Sequence, residues 1–209
     1  LVGISIPLYI SQHYGASLGL VGAGLLVLGI SAMRWDNSDG ARLSTIALMV
    51  VVLQAMLGMW TVTWLLKPIV VTGHLLGGLT TFALLTWLAF ISTPDRELVN
   101  AFAPPLRRLL WIGLALLVLQ IFLGGWTSSN YAALACGAEF PKCLGAWVPP
   151  HDFHEAFVLW RGIGVDYEGG VLDGPARVAI QLTHRFVALL VFGHLLMVAV
   201  RMFRTPGLK

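Results

Sequence analysis

Long apolar segments, each about as long as a lipid bilayer is thick, constrain this chain more than any other feature. Five are present, at about residues 12–33, 43–65, 69–92, 107–127 and 179–203. A helix of about twenty residues rises roughly 30 Å, the thickness of the bilayer core, and satisfies its own backbone within lipid. The sequence therefore predicts an all-α integral membrane protein: a single membrane domain, residues 1–209, that forms an antiparallel bundle of transmembrane helices.

The composition agrees with this class. Hydrophobic residues make up 57% of the chain and charged residues only 11%, and the mean hydropathy is +0.82. The thirteen lysine and arginine residues are dispersed over the loops and form no basic stripe. In a membrane protein such charges orient the helices, so the high pI does not indicate a nucleic-acid partner.

The basic residues also predict the topology. Eight of the thirteen lie in the three short segments 34–42, 93–108 and 201–209. The positive-inside rule places these segments in the cytoplasm, so the long polar loop 128–178 faces outward. The chain opens at Leu1 within an apolar stretch and without an initiator methionine. We therefore expect at least one helix upstream of it.

Three histidines, His13, His74 and His184, each lie near the start of an apolar segment. If these three helices run in the same direction, the imidazoles lie near the outward face at similar depth. Ionisable groups at membrane depth are costly and are therefore functional candidates. Facing imidazoles are the ligands of a bis-histidine haem. His194, ten residues deeper in its helix than His184, is instead expected to be a hydrogen-bonded interior residue.

The outward loop contains the two cysteines of the chain, Cys136 and Cys143. In an oxidising compartment such a closely spaced pair is most simply a disulfide. A zinc site is an alternative, because His151 and His154 would complete a Cys2His2 set. Two unrelated free thiols are a third possibility. Without the zinc, the two loop histidines are expected to be exposed.

An internal repeat is visible: residues 52–61 and 118–127 are identical at seven of ten positions. In one interpretation, its glycines let helices approach each other and its tryptophan anchors the helix at the interface. In the other, the bundle is duplicated and each half builds one cofactor pocket.

Several motifs together resemble the haem A synthase family, especially its proteobacterial members. They include Gly58-Met59-Trp60-Thr61, Thr72-Gly73-His74-Leu75, Gly125-Trp126-Thr127-Ser128, Phe140-Pro141-Lys142-Cys143, Phe157-Val158-Leu159-Trp160-Arg161-Gly162, residues 164–177 and Thr183-His184-Arg185. These motifs cover most of residues 52–190 and are specific in combination.

The resemblance implies a pseudo-symmetric eight-helix fold with two four-helix halves, each with two haem-ligating histidines at the outer face. The implied reaction oxidises the methyl group of haem O to the formyl group of haem A. This chain resembles family helices two to six. His74 matches a ligand of the first half and His184 a ligand of the second, whose partner is expected on the eighth helix. Arg185 is expected to pair with a haem propionate.

The resemblance also implies the surroundings of the protein. Haem b is the expected cofactor and haem O the substrate. Expected partners are haem O synthase, cytochrome oxidase assembly factors, membrane lipid and a second copy of the chain. The expected location is the bacterial inner membrane, as a multi-pass protein with loop 128–178 in the periplasm.

The first helix departs from the family pattern Glu-x-x-His-Arg. Here the run is Ile10-Ser11-Gln12-His13-Tyr14, which lacks both the glutamate and the arginine. The catalytic residue is therefore unassigned. A shift of the alignment by one residue places Gln12 at the position of the family histidine, so His13 is either a haem ligand or a solvated histidine at the helix mouth.

Two other functions use the same residues. A transmembrane b-type electron carrier would bind haem through the same histidines without modifying it. A quinone-linked thiol oxidoreductase would centre on Cys136 and Cys143 and would need no haem.

Overall fold

The computed structural model describes residues 14–34, 39–92 and 104–204, and within these ranges the regular structure is entirely helical. The helices are α1 (Tyr14–Arg34), α2 (Asp39–Thr63), α3 (Pro68–Ile91), α4 (Pro104–Ser129), α5 (Phe153–Ala156) and α6 (Gly174–Arg204). The predicted all-α class is confirmed. His13 and Ile10 lie outside the described residues, so the expectations for the start of the chain stay predictions.

Four of the described helices are long and apolar enough to cross a membrane. These stretches are Gly40–Thr63, Pro68–Ile91, Pro105–Ser129 and Gly174–Arg204, whereas the apolar stretch of α1, Leu18–Val27, is shorter. Large apolar side chains on the spans are exposed, for example Phe82 at 70% and Phe203 at 76%. Such surfaces suit lipid rather than water. The chain is a multi-pass membrane protein, as the sequence predicts.

Several hydroxyl groups within the spans donate to a carbonyl of their own helix. The hydroxyl of Thr81 donates to the carbonyl of Gly77 at 2.9 Å, and that of Thr86 donates to the carbonyl of Phe82 at 2.8 Å. Bonds of this kind within one helix suit a lipid environment, because a hydroxyl without a partner is costly there.

The helix α6 begins at Gly174, several residues before the predicted span. The carboxylate of Asp173 accepts a hydrogen bond from the backbone N–H of Ala176 at 2.9 Å and so caps the first turn. A cap of this kind satisfies a backbone donor that the helix itself leaves unpaired, and it fixes where the helix starts.

The chain divides into two compact units. The first contains α1, α2 as far as Met56, and α3 from Gly77; the second contains Leu57–Leu76 and the chain from α4 onward. In the first unit, α2 meets α3 at a glycine. A Cβ atom placed on Gly77 would lie 1.7 Å from Nε2 of Gln54, so a larger residue there would require the Gln54 side chain to move. In the second unit, α6 packs against α4 and α5.

The core of the second unit lies where the spans meet the outer loop. The indole of Trp126 is only 2% exposed, and its N–H donates to the carbonyl of Ala156 at 2.9 Å. Small residues of α6, including Ala176 and Ala179, are fully buried beside it. This core holds the end of α4, the loop and the start of α6 together.

A buried lysine attaches the outer loop to the turn between α2 and α3. The side chain of Lys67 is 2% exposed; its ammonium donates to the carbonyl of Gly162 and lies 3.5 Å from the centroid of the Trp160 ring. The backbone N–H of Tyr167 donates to the carbonyl of Leu65 at 3.1 Å. Burial lowers the pKa of Lys67, and the aromatic ring and the carbonyl offset part of the cost of burying this cation.

Candidate haem-binding site

Both predicted haem ligands of the described chain lie against a glycine of the internal repeat. A Cβ atom placed on Gly58 of α2 would lie 3.2 Å from Cε1 of His74, and one placed on Gly124 of α4 would lie 3.4 Å from Cε1 of His184. Carbon atoms are best separated by about 3.5–4.0 Å, so a side chain at Gly58 would press on the imidazole, whereas one at Gly124 would just touch it. The two glycines occupy equivalent positions in the repeat. This shared packing supports the interpretation that the bundle is duplicated.

The second copy of the repeat contains an additional glycine. A Cβ atom placed on Gly125 would lie 3.1 Å from Cγ2 of Thr72 and 3.1 Å from Cδ2 of Leu75, two residues that flank His74 on α3. The adjacent glycine, Gly124, faces His184. The end of α4 therefore lies close to both histidine-bearing helices, and two consecutive glycines permit these approaches.

His184 is half-buried and meets a polar side chain. The amide nitrogen of Gln120, on α4, lies 3.0 Å from Nδ1 of His184 and 3.3 Å from its backbone carbonyl oxygen. The amide oxygen of Gln120 is buried and has no hydrogen-bond partner among the described residues. Gln120 belongs to the internal repeat, but the sequence pattern alone indicates no role for it.

His74 differs from His184 in its surroundings. One edge of its ring lies against Gly58, and the residue is otherwise exposed. Thr72, two residues earlier on α3, is fully buried, and its hydroxyl has no hydrogen-bond partner within the described part of the chain. The expected mate of His74, His13, falls outside the described residues, so their pairing stays a prediction.

The guanidinium of Arg185 contacts the segment between the two cysteines. Its Nη1 donates to the carbonyl of Glu139 at 3.0 Å and to that of Lys142 at 3.3 Å. A guanidinium has five N–H donors, and these two contacts use only those of Nη1. Among the described residues, the donors of Nε and Nη2 make no further hydrogen bond while Arg185 holds this loop.

Cys136 and Cys143 form a disulfide with their Cα atoms 4.5 Å apart, which confirms the predicted bond. Because the two sulfurs are bonded to each other, neither is available as a thiolate ligand. The zinc interpretation is therefore wrong. The disulfide is fully buried and packs against Val178 of α6. His151 and His154 are exposed, as expected, and Nδ1 of His151 lies 2.8 Å from the carbonyl oxygen of Pro149.

His194 is a hydrogen-bonded interior histidine, as expected. Its Nε2 lies 3.0 Å from the carbonyl oxygen of Leu109, and its ring packs against Gly113. A glycine beside a histidine is therefore insufficient to define a ligand. His74 and His184 differ from His194 in two ways. Their glycines belong to the repeat, and within the described part of the chain neither ring donates through Nε2 to a carbonyl oxygen of another helix.

The residues present fit a haem group. Two imidazoles lie beside glycines that leave room for their rings, and exposed apolar side chains, Leu75 on α3 and Phe186 on α6, lie close to them along the chain. Within the described ranges, no three His, Cys, Asp or Glu side chains gather into a metal-ion site. A haem does not need such a cluster, because the porphyrin supplies most of the iron ligands and the protein supplies one or two axial ones.

The fold and the repeated glycine–histidine contacts define a helical membrane protein with candidate haem ligands at two related positions. Residues 3–208 match the COX15-CtaA family of cytochrome oxidase assembly proteins, and the chain belongs to this family. It is 41% identical over 191 residues to the heme A synthase of Shewanella oneidensis. The match covers 90% of this chain and 57% of that protein, so the chain spans little more than half the length of this relative. No solved structure matches.

Proposed function

We propose that this chain carries haem-binding helices of a haem A synthase, which oxidises the methyl group of haem O to the formyl group of haem A for cytochrome oxidase. One observation carries the proposal: equivalent glycines in the two repeat copies, Gly58 and Gly124, each pack against a histidine of a neighbouring span. The similarity to the Shewanella enzyme supports the reaction.

His74 and His184 are the proposed axial ligands. A neutral imidazole binds haem iron through one ring nitrogen, and the bound iron supplies the redox chemistry. Gly58 and Gly124 leave room for the two rings. Arg185 holds the disulfide loop and offers its remaining donors to a propionate. Haem b is the proposed resident cofactor and haem O the substrate, whose apolar tail would find apolar side chains on the exposed helix surfaces.

The proposed orientation places loop 128–178 in the periplasm. The oxidised cysteine pair within this loop supports that side, because disulfides persist in oxidising compartments. The basic segments at the opposite ends of the spans support it independently.

Substitution of the histidines tests the proposal. The resemblance assigns the partner of His184 to a family helix that residues 1–209 do not match, whereas His74 has His13 as its proposed mate. In the 209-residue chain, His74→Ala should therefore abolish low-spin haem, and His184→Ala should change it little. In a chain extended with the remaining helices of the relative, each substitution should remove one haem.

The measurement is the haem-to-protein ratio with the reduced α-band, and pyridine haemochrome analysis identifies the haem type. His194→Ala is the control, because its Nε2 already contacts the carbonyl of Leu109. The ligand assignment would be refuted by loss of low-spin haem with His184→Ala, but not with His74→Ala, in the 209-residue chain. Haem binding without any haem A product in the extended chain would instead favour the b-type electron carrier.

The thiol oxidoreductase finds less support. Thiol–disulfide exchange requires access to a sulfur atom, and both Cys136 and Cys143 are 0% exposed. The disulfide is therefore better explained as a structural bond that fixes the loop on α6.

A further inference from the structure

The polar partner of His184 lies on the same face of α4 as the glycine that contacts it. Gln120 and Gly124 are four residues apart, so in a helix they are neighbours on one surface. The amide nitrogen of Gln120 lies 3.0 Å from Nδ1 of His184, and a Cβ atom on Gly124 would lie 3.4 Å from Cε1 of the same ring. One helix face of α4 thus contacts the imidazole through both an amide and a glycine.

We propose that Gln120 is a positioning residue that sets the orientation of the His184 ring and decides which of its nitrogens is free to bind iron. This inference rests on the proposed role of His184 as a haem ligand. The amide nitrogen lies closer to Nδ1, at 3.0 Å, than to Nε2 of the ring, at 3.5 Å. With the amide N–H donating to Nδ1, a neutral ring carries its own proton on Nε2. Binding of iron through Nε2 requires the other tautomer, with the proton on Nδ1.

Glutamine can serve both tautomers. Its amide oxygen is buried without a hydrogen-bond partner in the described structure, and a half-turn of the amide exchanges the oxygen with the nitrogen. The oxygen would then accept the proton of Nδ1 and leave the Nε2 lone pair available. Partners of this kind orient metal-bound histidines and raise their basicity. A hydrocarbon side chain of the same size would fill the space, but it could neither donate a hydrogen bond to Nδ1 nor accept one from it.

The repeat supports this reading. Gln54 occupies the position of Gln120 in the first copy, and its amide lies over Gly77 of α3. Gly77 is three residues after His74, about one helical turn. Both amide atoms of Gln54 are buried and lack a hydrogen-bond partner among the described residues. Each copy therefore directs a glutamine amide toward the helix that carries its histidine.

The test uses the purified chain in detergent, in a His74→Ala background so that only His184 contributes. The chain is titrated with ferrous haem b, and the iron–histidine stretching band is recorded by resonance Raman spectroscopy. Gln120→Leu should weaken haem binding by about 10- to 100-fold and lower the band frequency, whereas Gln120→Glu should raise it. Opposite shifts from two similarly sized side chains would not arise from packing alone.

Gln54→Leu is the matched control, because it removes the equivalent amide from the first copy, and it should leave both readouts unchanged. The proposal is overturned if Gln120→Leu matches the wild type in affinity and frequency. A second measurement needs no variant: the ring ¹⁵N shifts of His184 in the haem-free chain should show the proton on Nε2, and a dominant Nδ1 proton would also overturn it. If adding His184→Ala to the His74→Ala background leaves haem binding and the band unchanged, the proposed ligand itself fails, which is a separate result.

Discussion

Replacement of Gly58 by alanine should weaken haem binding at His74 without destabilising the protein. The new Cβ atom would lie 3.2 Å from Cε1 of His74, whereas carbon atoms are best separated by about 3.5–4.0 Å. The ring must therefore move by a few tenths of an ångström. Because His74 is otherwise exposed, the imidazole of the haem-free protein can move away at little cost. The strain then appears only when haem holds the ring in place.

The size of the effect follows from the overlap. Small-to-large substitutions in packed sites cost about 1–3 kcal/mol. At about 1.4 kcal/mol for each tenfold change, the haem affinity should fall roughly 5- to 150-fold. The haem-free protein should be as stable as the wild type or slightly more so, because alanine favours a helix over glycine by up to about 1 kcal/mol.

Gly73→Ala is the matched control. It makes the same substitution in α3 directly beside His74, yet a Cβ atom at Gly73 would meet no atom within 4 Å. The assay is a haem titration of both variants, followed by the reduced α-band, with thermal unfolding of the haem-free proteins. Equal haem affinities for Gly58→Ala and Gly73→Ala would refute the reasoning. So would a haem-free Gly58→Ala protein whose free energy of unfolding falls by as much as its free energy of haem binding.

Three further predictions concern the outer loop. Cys136→Ser should lower the free energy of unfolding by about 2–3 kcal/mol, because it removes the disulfide with Cys143. Thermal unfolding with and without reductant measures this loss. Reductant should destabilise the wild type and leave the variant unchanged. Trp126→Phe should cost about 1–3 kcal/mol, because it leaves the buried carbonyl of Ala156 without its donor, and an unchanged melting temperature would argue against that bond. Burial raises the pKa of Tyr167 above its usual value of 10.0, although the charge of Arg161 opposes this. The unfolded state therefore ionises first as the pH rises above 10, and stability is lost up to the folded-state pKa. The melting temperature of the wild type should fall more steeply in this range than that of Tyr167→Phe. The lowered pKa of Lys67 changes the stability with pH in the opposite direction, but it does so equally in both proteins.

The position of Arg185 next to His184 in the sequence does not predict all the contacts of its side chain. Its position beside His184 predicts a partner for a haem propionate. In the structure its guanidinium also binds the carbonyls of Glu139 and Lys142, more than forty residues away along the chain. The direction of a long side chain depends on which loop lies above the helix, and no local pattern specifies this.

The class of the protein and its candidate ligands can be read from the amino-acid sequence alone. Lipid requires each spanning backbone to satisfy its own hydrogen bonds, so the length of an apolar segment suffices to predict a helix. The costly histidines at membrane depth, the spacing of Cys136 and Cys143, and the family motifs were equally visible without a structure. The alternatives for the cysteine pair stayed open, because thiol spacing alone suits either a disulfide or a metal site.

Which residues contact each other across helices depends on the tertiary structure. The contact between Gln120 and His184 joins positions 64 residues apart, and those of Gly58 with His74 and Gly124 with His184 also join separate helices. The repeat gave a signal, since it carries the same glutamine and glycine twice, but it could not show that both face a histidine. That depends on how each helix is rotated against its neighbour. Rotation is set by the packing of whole helix surfaces, and in lipid the apolar pattern of a helix says little about which side faces protein.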